Sequence, residues 1–120
     1  MEERLIERKS MEFAVRIVKA VRYLKKEKHE YELASQLLRS GTSIGANVAE
    51  ATYAESDGDF ISKHKIALKE ANETKYWLNL LSISETLSDK EAQSLVDNVE
   101  ELQKILTSII RTKQKNKNNQ

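Results

Sequence analysis

The chain has 120 residues, with neither cysteine nor proline. Without cysteine it can form no disulfide, no thiolate metal site and no cysteine nucleophile. Its 20 basic and 19 acidic side chains leave a net charge of +1, which favours no charged partner by itself. No apolar run approaches the roughly 18 residues of a membrane span, and charges interrupt the first ten residues where a signal peptide is apolar. These features predict a cytoplasmic protein that does not act at a membrane.

Apolar residues recur at helical spacing in four segments, which predict helices at about 10–28, 30–54, 57–84 and 89–111. Ser56 and Ser88 are the expected N-caps of the third and fourth helices. Because the turns are short, the predicted fold is all-α, an antiparallel up-down-up-down four-helix bundle formed by residues 1–111 as one domain. Residues 112–120, TKQKNKNNQ, have too little apolar surface to fold, so we expect a disordered basic tail.

The polar side of the first helix is predominantly basic. A row of this kind is either a solvated face or a surface that attracts phosphate, and the basic tail adds further positive charge. RNA or DNA is therefore a candidate partner. The candidate contacts are Arg8, Arg16, Lys19, Arg22, Lys26, Lys113, Lys115 and Lys117.

The second helix combines small residues with a polar row. Gly41, Gly45 and Ala49 lie at four-residue spacing, which allows a neighbouring helix to approach closely. The apolar stripe continues across both glycines, so the helix is expected to continue as well, with a kink near Gly41 as the alternative. The polar residues should either pair with one another across the bundle or bind a ligand, and this candidate seam comprises Arg39, Ser43, Asn47, Glu50, Glu70 and Glu73.

The second half of the third helix, KYWLNLLSI, is apolar around nearly its whole circumference. A helix in a monomeric bundle needs an apolar arc of only about 100°. The surplus residues, Tyr76, Leu80 and Ile83, must therefore meet another subunit or remain exposed. Since an exposed patch would promote aggregation, a subunit interface is the favoured interpretation.

The residues that catalysis and metal binding require are poorly represented. A di-iron bundle needs Glu-x-x-His pairs, and the sequence has none. Glu70 and Glu73 could serve as general acid and base, but the favoured interpretation is that they pair with Arg39, Lys63, Lys69 or an amide. Ser43 has no adjacent histidine base. We predict no enzyme, no metal and no cofactor, with a small-molecule or metal site between the second and third helices as a remaining alternative.

Two motifs carry a family resemblance. The run R-S-x-x-S-I-x-A-N-x-A-E spans Arg39 to Glu50, and the run K-E-A-x-E-T spans Lys69 to Thr74. Together they resemble the four helix bundle protein family, also called the 23S rRNA intervening-sequence protein family, over residues 11–110. Many relatives carry proline where this chain has Gly45, and glycine where it has Ala51.

The resemblance implies a non-enzymatic bundle that assembles into a homo-pentamer. Some relatives are encoded within insertions in large-subunit ribosomal RNA genes. A related branch, the accessory proteins of diversity-generating retroelements, forms pentameric barrels that bind nucleic acid and a reverse transcriptase. The leading hypothesis is a homo-oligomeric scaffold that associates with RNA or DNA. The alternative is an adaptor that docks a partner protein and has no direct nucleic-acid role.

Overall fold

The computed structural model describes residues 1–119, which form four α-helices and no β-strand. The helices are α1 (Glu2–Glu27), α2 (Glu32–Ala51), α3 (Asp57–Ile83) and α4 (Asp89–Asn118). Each consecutive pair packs together, and α1 also packs against α4. This is the neighbour pattern of an up-down-up-down bundle, and the molecule is an elongated body of 53 × 21 × 20 Å.

The predicted apolar stripes form one continuous core. The side chains of Phe13, Leu37, Leu78 and Leu102 are all almost completely buried, and each comes from a different helix. Both predicted caps are present, because Ser56 Oγ accepts a hydrogen bond from the Asp59 amide at 3.0 Å and Ser88 Oγ accepts one from the Glu91 amide at 3.2 Å. The prediction of an all-α four-helix fold is confirmed.

The helix ends differ from the sequence-based expectations. α1 begins at Glu2 rather than near residue 10, because Ile6 continues the apolar stripe and is fully buried. α2 ends at Ala51 rather than 54, and the next residues turn towards α3.

The expectation of a disordered tail from residue 112 onwards is wrong as far as the structure describes it, because α4 continues to Asn118. One reason is that Lys113 is held against α3. Its Nζ lies 3.7 Å from Asp57 Oδ1 and 4.6 Å from the centre of the Phe60 ring. These contacts fix the first turn beyond the predicted end, and each further residue then adds one i→i−4 hydrogen bond without a new nucleation step. Gln120 lies outside the described residues.

Candidate functional site

The centre of the predicted polar seam is an Arg39 clamp between α2 and α3. On its own helix, Arg39 donates to Gln36 Oε1 from Nε at 3.2 Å and from Nη2 at 2.9 Å. Across the interface its Nη1 donates to Glu70 Oε2 at 3.5 Å, and its Nη2 donates to Glu73. The structure thus brings three residues of the two motifs, Arg39, Glu70 and Glu73, into direct contact.

Glu73 is already engaged as an ionised acceptor. The hydrogen bond from Trp77 Nε1 to Glu73 Oε2, at 2.9 Å, lowers the pKa of the Glu73 carboxyl, and Arg39 lowers it further, although partial burial acts in the opposite direction. A general acid at neutral pH needs a raised carboxyl pKa. This geometry therefore suits Glu73 to pairing with Arg39 rather than to proton transfer.

The rest of the predicted row does not join this clamp. Ser43 Oγ donates to the carbonyl of Arg39 at 2.6 Å, and Asn47 Nδ2 donates to the carbonyl of Ser43 at 2.8 Å. Both side chains thus bond to their own helix. Glu50 pairs with Lys63 of α3 at 3.2 Å, so the row holds α2 against α3 at its two ends only.

A buried hydroxyl pair below the clamp was not predicted from the sequence. Thr74 Oγ1 lies 3.0 Å from Ser40 Oγ, and both residues are fully buried between α2 and α3. The motifs contained a pattern from which this pair could have been predicted, since each motif places a hydroxyl residue directly after a charged one. Arg39-Ser40 and Glu73-Thr74 therefore meet as a double contact, with an ion pair at the surface and a hydroxyl pair inside.

The small residues of α2 face α1 rather than α3. A Cβ atom added at Gly41 would lie 2.9 Å from both Cγ atoms of Ile17, whereas one added at Gly45 would lie 3.4 Å from Ser10 Oγ. The close approach that the sequence predicted therefore occurs at Gly41, and its partner is α1. The small residues and the polar seam serve two different interfaces of the same helix.

His64 on α3 is a buried titratable side chain at the end of the bundle that contains both chain termini. Its Nδ1 donates to the Phe60 carbonyl at 2.9 Å, and its ring packs on the Phe60 ring with centroids 4.3 Å apart. Burial lowers the pKa of His64, and nearby Lys113 adds to this, while the Phe60 hydrogen bond and Glu3 oppose it.

This depressed pKa gives a testable pH dependence. The unfolded histidine titrates near pH 6.5, so below that pH the unfolded chain takes up a proton more readily than the folded chain. The free energy of unfolding should therefore fall as the pH drops from 7.5 to 5.5. In His64→Gln this contribution is absent, and urea titrations across that range should show a smaller loss than in the wild type. An equal loss of unfolding free energy in the two proteins would show that His64 is not the source of the pH dependence.

The predicted basic residues of α1 have two different environments. Arg16 is hydrogen-bonded to α4, since its Nη1 donates to Asn98 Oδ1 at 2.6 Å and its Nη2 donates to Ser94 Oγ at 3.1 Å. Arg8 pairs with Glu12 on its own helix at 3.4 Å. The remaining three are exposed and form no ion pair within residues 1–119, namely Lys19, Arg22 and Lys26.

The basic residues after position 111 lie on a separate surface. Lys113 packs beside the N-terminal residues Met1–Glu3, whereas Lys19 lies level with Glu91 and Leu95 near the start of α4. At 1.5 Å per residue along α4, the two groups are about 30 Å apart. Lys115 and Lys117 are exposed, and Lys113 is the one that pairs with Asp57. The structure does not bring the two basic groups together.

The candidate interface residues lie on the outward side of α3. Tyr76 is 60% exposed and Ile83 is 81% exposed, while Leu80 is half-buried. A second apolar surface is a groove of about 550 Å³ between α1 and α2. Its rim carries Met11, 66% exposed, and Tyr53, 86% exposed, and its floor includes small residues such as Gly45.

Within residues 1–119, no three histidine, aspartate or glutamate side chains are placed so that they could hold a metal ion. None of the helices in this range has a stretch that is both long and apolar enough to cross a bilayer.

An elongated four-helix bundle with motif residues at the α2–α3 interface defines the class of this protein. The chain belongs to the 23S rRNA-intervening sequence protein family, whose model matches residues 2–108. It is similar to a solved structure from the S23 ribosomal protein family of Bacteroides thetaiotaomicron VPI-5482, a protein of unknown function. That structure is 49% identical with a TM-score of 0.92, over 92% of this chain and 99% of the other. No curated protein matches the chain significantly.

Proposed function

We propose that this chain is a cytoplasmic, non-enzymatic scaffold that assembles with itself and binds RNA or DNA. The observation that carries the nucleic-acid part is the row of Lys19, Arg22 and Lys26. These residues are exposed, unpaired within residues 1–119 and spaced for one face of α1. Cations without an intramolecular carboxylate partner can replace counterions along a phosphate backbone. Membership of a family named for ribosomal RNA intervening sequences supports the same partner class.

The test is the salt dependence of binding. Fluorescence anisotropy with a labelled RNA hairpin and a DNA duplex should show affinity that falls steeply as salt rises. Replacing Lys19, Arg22 and Lys26 together by glutamine should flatten the slope of log K against log salt by up to about 3 for each bound subunit. A charge-matched control replaces the exposed Lys65, Lys69 and Lys104 on the other helices, and it should change the slope little.

No salt-sensitive binding by the wild type at low ionic strength would overturn the nucleic-acid proposal. Replacing Lys113, Lys115 and Lys117 by glutamine tests the second basic group separately. Since Lys113 already pairs with Asp57, we expect a smaller effect from this group than from the α1 row.

We propose further that the scaffold is a homo-oligomer, with the pentamer that the family resemblance implied as the expected state. Two observations support self-association: the row of Tyr76, Leu80 and Ile83, in which Leu80 is half-buried and the other two are exposed, and the apolar groove between α1 and α2. These surfaces differ in shape and sequence. Docking the row of one copy into the groove of the next would give a head-to-tail contact, the kind of contact from which closed rings are built.

The alternative function is an adaptor that docks a partner protein, and the same groove supports it. Its size of about 550 Å³ and its apolar rim would accommodate side chains of a partner helix. The α1 glutamine variant separates the two functions. Retained capture of a copurifying polypeptide with loss of nucleic-acid binding would favour the adaptor.

A further inference from the structure

A second groove lies where α1 meets the turn between α3 and α4, at the end of the bundle away from the chain termini. Its volume is about 600 Å³, within the range of about 300–1,000 Å³ that is usual for ligand pockets. The floor is apolar, formed in part by the buried residues Ala20, Leu87 and Leu95. The groove is therefore large enough for a flat aromatic group such as a nucleobase.

One wall of this groove combines an exposed aromatic ring with free cations. Tyr23 is 45% exposed, and Lys19 lies one helical turn before it on the same face of α1. Lys28 adds a second exposed cation, and neither lysine has an ion-pair partner within the described chain. Glu85 and Glu91 line the wall formed by α4 and the turn before it, so the basic side chains of the groove lie on the α1 side.

Aromatic rings beside free cations are the combination by which proteins bind single-stranded nucleic acid. The ring stacks on an unpaired base, and the cations follow the phosphates. In a duplex the bases are stacked on one another and cannot reach a side chain in this way. Because Glu85 and Glu91 would repel phosphate, the backbone would run along the α1 wall, continuous with Arg22 and Lys26.

We propose that this groove binds an unpaired nucleotide of a single-stranded segment, with its base stacked on Tyr23 and its phosphates beside Lys19 and Lys28. The inference rests on the proposed nucleic-acid function and specifies it. The preferred ligand is single-stranded RNA or DNA, or an unpaired loop, rather than a plain duplex. Tyr23 is a binding residue in this proposal, and the basic row of α1 extends the site.

The test compares Tyr23→Leu and Tyr23→Phe in anisotropy titrations at low salt. The probes are a labelled 12-mer of oligo(dT), a 12-mer of oligo(rU) and a 12-base-pair duplex. Loss of one stacked base should weaken single-strand binding roughly 5- to 150-fold in Tyr23→Leu, while Tyr23→Phe should bind like the wild type. Duplex binding should be nearly equal in all three proteins. Lys19→Gln should flatten the single-strand salt slope by about 0.7.

The matched control is Tyr31→Leu, which removes a more exposed tyrosine that lines neither of the two grooves and should leave single-strand binding unchanged. Thermal melts check that each variant is folded. If single-strand binding is equal in wild type and Tyr23→Leu while the α1 glutamine variant loses it, this proposal fails and the proposed function stands. If the wild type binds none of the probes, the proposed function fails with it.

Discussion

Gly41→Ala is expected to lower the free energy of unfolding by about 1–2 kcal/mol, although alanine is the better helix former. Overpacking a full core typically costs about 1–3 kcal/mol, and the helix propensity gained by replacing glycine returns up to about 1 kcal/mol. The added Cβ would lie 2.9 Å from both Ile17 Cγ1 and Cγ2, so one of the two helices must move.

Ile17 cannot relieve this contact by itself. It is fully buried, and as a β-branched residue in a helix it is restricted to essentially one χ1 rotamer. Rotating one Cγ atom away from position 41 would bring another group towards it. Gly41→Val should therefore destabilise the protein more than Gly41→Ala does, since valine adds two further methyl groups at the same place.

Urea titrations of Gly41→Ala, Gly41→Val and Gly45→Ala would measure this effect. Gly45→Ala is the matched control because it changes the same residue type in the same helix, and its Cβ would meet Ser10 Oγ at an ordinary 3.4 Å. The control should be unchanged or more stable by up to about 1 kcal/mol. Equal stability of Gly41→Ala and Gly45→Ala would show that α1 and α2 have room at both positions.

Leu80→Glu combined with Ile83→Glu is expected to dissociate the proposed oligomer. A carboxylate left unpaired in an interface costs several kcal/mol, and about 3 kcal/mol would weaken each contact more than 100-fold. Multi-angle light scattering should show the mass falling from that of the oligomer towards 13.8 kDa. Because Ile83 is exposed and Leu80 is only half-buried in the single chain, the double variant should keep its helical circular dichroism.

Two further variants distinguish the type of contact. In a head-to-tail ring the α1–α2 groove is the other half of each interface, so Met11→Glu should dissociate the oligomer as well. Tyr31→Glu, which adds the same charge at an exposed aromatic residue of the α1–α2 turn, should leave the mass unchanged. A wild-type mass of 13.8 kDa, or an unchanged mass in Leu80→Glu/Ile83→Glu, would contradict the α3 interface.

The sequence was sufficient for the helices and their caps because these depend on local patterns. Apolar spacing located α1 to α4, and Ser88 with Glu91 located the start of the last helix. The extension of α4 could not be predicted, because it depends on Asp57 and Phe60, which lie more than 50 residues earlier. The absence of an apolar stripe after residue 111 shows only that this segment contributes no side chains to the hydrophobic core, and it does not show that the helix ends there.

Contacts between helices were predictable only in part. Opposite charge allowed Arg39 as a partner of Glu70 and Glu73, but it left Lys63, Lys69 and an amide open as alternatives. The partner of Gly41 and the attachment of Arg16 to Asn98 depend on how far each helix is rotated and shifted along its neighbour. Those quantities follow from packing the whole core at once. For this reason the basic row of α1 looks uniform in the sequence, whereas in the structure some of its residues are bonded to other side chains of the bundle and the others are not.

The double contact of Arg39-Ser40 with Glu73-Thr74 also constrains how α2 and α3 can slide past each other. A displacement by one helical turn, about 5.4 Å, would break the ion pair and the buried hydroxyl pair together. The axial register of α3 is therefore set from α2. That register fixes where Tyr76, Leu80 and Ile83 lie along the bundle axis relative to the groove between α1 and α2. A substitution at Thr74 would remove the buried half of this constraint, although Thr74 itself is fully buried and belongs to neither surface of the proposed subunit contact.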